Sequence, residues 1–140
     1  MHNSLDYYAK RCRIVVQGIR GNMNKSIYFS SAEFKCQCGK CGEHKMSQEF
    51  LDKLDTARSI SKTPYKITSG YRCKAHNKAV GGHENSLHVQ GTAVDILADT
   101  DRKRSVILIG LIGAGFTHIG IASNFIHVDL SKKVGCWLYK

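Results

Sequence analysis

Between residues 46 and 60, apolar side chains recur at Phe50, Leu54 and Ala57, the spacing of one helix face. Ser47 stands where an N-cap belongs, and Met46 and Leu51 occupy the positions of a hydrophobic staple. TPYKITS reads as a short strand ending at Gly70, and residues 74–80 as a short helix closed by Gly81 and Gly82. TAVDILA alternates, with Ala93, Asp95 and Leu97 on one face and Val94 and Ile96 on the other. A helix over residues 101–113 follows, with Thr100 or Asp99 as its cap, and then two more strand patterns, THIGIA and FIHVDL. Helices and short strands interleave without a βαβ rhythm, which predicts an α+β fold.

A chain of 140 residues fits one domain with an adequate core. No repeat or low-complexity linker divides it, and its single proline, Pro64, sits between a helical and a strand pattern. The apolar run VILIGLIGAGF is about half the ~20 residues that span a bilayer, so a buried core helix is expected there, behind Arg102, Lys103 and Arg104. The opening MHNSLDYYAKRCR lacks the apolar segment of a signal peptide. The expectation is a product made in the cytoplasm that reaches any outside target by another route.

Lysine and arginine number 21 against 11 acidic residues, a net charge of +10. Such a balance bears on partners rather than on fold, and nucleic acid, anionic membrane and the bacterial cell wall are all eligible. No nucleic-acid recognition motif accompanies the charge, so no specific nucleic acid is expected. The N-terminal segment, residues 1–28, is especially basic through Lys10, Arg11, Arg13, Arg20 and Lys25, and is set apart from a folded domain at 29–140.

In FIHVDL, an extended chain turns Ile126, Val128 and Leu130 to one side and Phe125, His127 and Asp129 to the other. A lone buried histidine is more often structural than a ligand. SLHVQGTAVD changes the balance, because His88, Asp95 and His127 together make a three-ligand zinc set with a fourth position left for water. The small residues Gly91, Thr92 and Ala93 let the backbone pass close to an ion.

SGYRCKAHNKAVGG, SLHVQGTAVD and FIHVD together resemble the M15 zinc peptidases, which include D-Ala-D-Ala carboxypeptidases and L-alanyl-D-glutamate endopeptidases of phage lysins. The S-x-H-x-x-G-x-A-x-D pattern is complete in Ser86, His88, Gly91, Ala93 and Asp95, and H-x-D is present as His127 and Asp129. The resemblance implies one compact domain, a small and mostly antiparallel sheet with flanking helices. It makes His88, Asp95 and His127 ligands of a catalytic zinc ion, Arg72 a cation for a substrate oxygen, and Ser86 a residue that orients the site. Asp129 is the first choice for general base and Glu84 the second; Asp129 has the alternative of holding an imidazole's other nitrogen. His118 and His83 are given lesser places. The implied target is peptidoglycan, reached on an anionic wall or outer-membrane surface by a monomer of phage-lysin type acting in the periplasm or outside the cell. A wall-binding or virion component without catalysis is the reading from another class.

KCQCGKCGEH holds Cys36, Cys38 and Cys41, and its CGKCG core looks like a zinc knuckle. Cys73, His44 or His76 can supply a fourth ligand to a second, structural zinc; disulfides or free thiols are the other reading. Cys12 and Cys136 have no assigned partner.

Overall fold

The structure is a computed structural model and describes residues 25–140. The basic segment expected over residues 1–28 therefore lies mostly outside the described residues. Its last four positions belong to the folded body. The Lys25 backbone exchanges hydrogen bonds with the Gln48 side chain, and the Asp55 carboxylate accepts from Ser26 Oγ at 2.5 Å and from the Ile27 N–H at 2.8 Å.

Three α-helices and five strands follow a short 3₁₀ turn at Ser31–Phe34. Helix α1 runs Gln48–Ser61, and the Ser47 hydroxyl accepts the Phe50 N–H at its start, as its sequence signature predicts. Strand β1 is Ile67–Ser69, shorter than the apolar pattern. Helix α2 is Lys74–Ala79, capped by Cys73, and it closes at Gly81 in the left-handed region. Strand β2 is Ala93–Leu97. Helix α3 is Asp101–Gly113, and of its two expected caps Thr100 accepts the Lys103 N–H while Asp99 pairs with the Lys103 ammonium. Strands β3, His118–Ile121, and β4, Phe125–Asp129, coincide with the two late strand patterns.

Strand β5, Gly135–Leu138, has no counterpart among the expected elements. Its run of Gly, Cys, Trp and Leu shows no polar-apolar contrast, because a sheet-edge strand buries neither face fully. The sheet order is β1-β2-β4-β3-β5. Every pairing is antiparallel except β3 with β5, so the sheet is mostly antiparallel.

One sheet face carries Val94, Ile96, Ile119, Ile126 and Val128, which share a core with Phe50, Leu51 and Leu54 of α1 and Ile107 and Leu111 of α3. The core helix expected in residues 106–116 joins the core through one face only. Helix α3 buries Ile107, Gly110 and Leu111 but exposes Ile109 and Ile112, each over 60% accessible at 63% and 64%. Among the described residues, no helix is long and apolar enough to cross a membrane.

Two glycines set how closely elements approach. Gly91 has φ of +71°, and a Cβ there would sit 1.6 Å from the Lys45 carbonyl oxygen. The Gly91 carbonyl in turn accepts the N–H of Ser47 at 2.9 Å, joining the loop after His88 to the start of α1. Gly110 is the contact point of α3 with α1, where a Cβ would fall 2.5 Å from the Ala57 carbonyl oxygen and 2.3 Å from the Tyr65 hydroxyl.

Gly110→Ala tests that contact. Helix propensity alone favours alanine by ~1 kcal/mol, whereas overpacking costs about 1–3 kcal/mol. The Ala57 oxygen is backbone and cannot rotate away, so overpacking wins. The expected outcome is a lower urea midpoint at unchanged slope; an equal or higher midpoint would show that the helices part freely.

Candidate metal centre and cleft

The site is laid out by strand register. Asp95 on β2 pairs with His127 on β4, Ala93 pairs with Asp129, and His118 on β3 pairs with Asp129 from the other side. Alternation then puts Asp95, His127, Asp129 and His118 on the sheet face away from the core. His88 reaches the same place from the loop before β2.

The His88 ring is buried, and its Nδ1 lies 2.8 Å from the Gly70 carbonyl oxygen. A carbonyl only accepts, so Nδ1 carries the hydrogen, and in the neutral ring the lone pair is on Nε2. Nε2 has no hydrogen-bond partner and points toward Asp95 Oδ1 at 3.4 Å. Two lone pairs at that distance call for a cation between them, a metal ion or a proton. Asp95 Oδ1 also lies 2.9 Å from His127 Nδ1, and one donor atom from each of His88, Asp95 and His127 falls within 4.8 Å of the other two. Two imidazoles and a carboxylate so placed suit zinc.

Beyond the triad the chain of contacts continues. His127 Nε2 meets Asp129 Oδ2 at 2.8 Å, and His118 Nδ1 lies 2.9 Å from both Asp129 oxygens. Asp129 Oδ1 also accepts the Ser131 N–H. Asp129 is thus 4% exposed with both oxygens engaged, the place of a residue that orients two imidazoles. His118, given a lesser place by sequence, is only partly buried and lines the cavity.

Arg72 stands at the cavity wall. Its Nε donates to Ser69 Oγ at 3.3 Å, its Nη1 to Asn77 Oδ1 at 3.2 Å, and its Nη2 is 3.8 Å from Asp95 Oδ2. Ser86 accepts the His88 N–H and also lines the cavity. Glu84 and His83 are exposed. Glu84 lines a neighbouring cavity of about 750 Å³ rather than the one of about 650 Å³ that holds the triad, and the two share Gly82, Asn85 and Ser86 as a common rim. Only three residues of chain lie between Glu84 and His88, yet the two line different cavities.

Sequence reasoning missed one wall of the cleft. Trp137 on β5 packs at a tilt against His118 at 4.6 Å and His127 at 5.6 Å between ring centroids. Gly120 makes this geometry available, since a Cβ there would sit 2.5 Å from the indole. A glycine inside a strand pattern, which marks close approach of another group, is the signal in the sequence.

Charge and burial compete in the triad. Burial opposes ionisation of Asp95, but the hydrogen bond with His127 and the two imidazoles beside the carboxyl outweigh it and hold it down to about 2. Burial likewise works against charging His127, yet Asp129 and Asp95 on its two sides push the imidazole up to about 9. Asp129 is lowered against its burial by His127, His118 and the Ser131 N–H.

The family model described as Peptidase M15 matches residues 27–129, which include Arg72, Ser86, His88, Asp95, His118, His127 and Asp129 but not Ser131 or Trp137. No match is found among curated proteins.

In metal-free protein, the raised His127 value predicts stability that is fully present below pH ~6.5 and lost as pH rises through about 9. The depressed Asp95 value predicts stability present above pH ~4 and lost as pH falls toward about 2. Thermal unfolding of chelator-treated protein should therefore show a midpoint that declines between pH 6.5 and 9.5, and zinc affinity that rises over the same span as His127 gives up a proton. A flat midpoint across that span would remove His127 from between the two carboxylates.

Proposed function

Because the chain belongs to the M15 peptidase family, we propose that it is a zinc-dependent peptidase that hydrolyses an amide bond in the stem peptides of bacterial peptidoglycan. The observation that carries the reading is the orphaned Nε2 of His88, buried and aimed at Asp95 with His127 beside it. His88, Asp95 and His127 would hold the ion. When bound, zinc lowers the pKa of a water and polarises the scissile carbonyl.

The chain's own residues then divide the work. Arg72, locked by Ser69 and Asn77, offers its guanidinium to a carboxylate or carbonyl oxygen of the substrate. His118 accepts the proton of the attacking water at Nε2 and hands it to the leaving amine as the C–N bond breaks. Asp129 holds the Nδ1–H of His118 and stabilises the imidazolium while the proton resides there. This reading moves the base from Asp129 to the imidazole that Asp129 orients.

Two cavities that meet at Gly82, Asn85 and Ser86 give a cleft that continues past the triad. A cleft of that form suits a peptide that runs on beyond the cut, which favours an endopeptidase, with L-Ala-D-Glu as the bond, over a D-Ala-D-Ala carboxypeptidase. The net charge of +10 would concentrate the protein on an anionic wall.

Purified peptidoglycan digested with and without a chelator, with fragments read by mass spectrometry, tests the reading. New L-Ala-D-Glu ends that vanish on chelation and return with zinc are expected. Release of terminal D-Ala alone would favour the carboxypeptidase, and binding without cleavage would favour the docking component. On the same assay His118→Gln should lower kcat by about 10²–10⁴ with zinc content unchanged, and Glu84→Gln should leave it intact. The reverse pattern would make Glu84 the base.

A further inference from the structure

The four cysteines Cys36, Cys38, Cys41 and Cys73 converge away from the cleft. Their sulfurs all lie within 4.8 Å of one another, although Cys73 is 37 residues from Cys36 in sequence. Cys38 and Cys41 Sγ are 3.4 Å apart. A disulfide needs about 2.05 Å, whereas sulfurs at the corners of a tetrahedron with Zn–S bonds of about 2.3 Å lie about 3.8 Å apart. The observed separation is close to the second figure.

The backbone around them is built to receive negative sulfur. Cys38 accepts from the N–H groups of Lys40 and Cys41, Cys41 from Glu43, Cys73 from His76, and Cys36 from Cys73. Every one of the four sulfurs therefore has at least one backbone donor. Such donors orient thiolate ligands and offset their charge. Gly39 and Gly42, with φ of +70° and +65°, supply the two tight turns that bring the Lys40, Cys41 and Glu43 amides round to the sulfurs. His44 is exposed and His76 offers its backbone rather than its ring, so Cys73 is the fourth member.

We propose that these four thiolates bind a second zinc ion, distinct from the triad, as a structural clip. Four protein ligands close the tetrahedron and leave no position for substrate or water. The clip has a definite task in the fold. Cys73 caps α2 and directly follows Arg72, while Cys36 follows the turn whose Phe34 carbonyl accepts the Tyr71 N–H. An ion shared by Cys36, Cys38, Cys41 and Cys73 fastens the 36–41 loop to the segment that carries both Arg72 and Gly70, the carbonyl that orients His88.

Metal analysis of protein prepared under reducing conditions tests the proposal independently of activity. The wild-type chain should carry two zinc ions, His127→Ala one, and Cys41→Ser one. Cobalt-loaded His127→Ala should show the intense thiolate-to-cobalt charge-transfer absorption that a site of nitrogen and oxygen ligands lacks, and Cys41→Ser should lack it. One zinc in the wild type that survives Cys41→Ser, iron in place of zinc, or cysteine bridges in the reduced preparation would each overturn the proposal. If Cys41→Ser does not fold, the cobalt spectrum of His127→Ala decides alone. Two zinc ions in His127→Ala, with one lost in Cys41→Ser, would instead fault the triad and leave the clip standing.

Discussion

The pairing of β2 with β4 is the constraint on which the rest depends. Asp95 stands opposite His127 only in the observed register, and Ala93 opposite Asp129. A slip of one residue would turn these groups into the core and expose Val94, Ile96, Ile126 and Val128. Burying those four aliphatic side chains is what holds the register, at roughly 1.5–3 kcal/mol each. The hydrophobic face thus pins the polar one. Chemistry on the outer face is aligned by packing on the inner face, with no contact between them required.

A second consequence of that register is a row of alternating acid and imidazole: Asp95, His127, Asp129, His118. A buried carboxylate on its own is costly, and so is a buried imidazolium, but each is tolerated here because its neighbours have the opposite charge. The row ends on the triad side at His88, whose hydrogen is committed to Gly70. That commitment leaves a place for positive charge beside Asp95 at one end of the row, while the His118 ring stands at the other. The asymmetry separates metal binding from proton handling within a single polar network.

Much of this was legible because local pattern and tertiary structure agree. The period-two alternation in TAVDILA and FIHVDL and the Ser47 and Thr100 caps survive intact, and His88, Asp95 and His127 come together. What was not legible depended on pairing between distant segments. The place of His118 follows from the β3–β4 register, which brings it opposite Asp129. Trp137 reaches the cleft through a parallel edge strand that has no amphipathic signature. Glu84 stands four positions before His88, and that spacing does not reveal that the two line different cavities. The exposure of Ile109 and Ile112 was hidden for a related reason, since an apolar run marks hydrophobicity on both faces and cannot say which one is covered.

The hydrogen bond from Ser47 to the Gly91 carbonyl ties the cap of α1 to the loop that bears His88. Because a ligand that binds only the folded loop stabilises whatever is folded with it, loading of the triad would be felt in the first turn of α1. Amide hydrogen exchange there, at Ser47 and Phe50, would slow as the metal fills the site. A helix that contributes no ligand would thus serve as a remote gauge of whether the centre is charged.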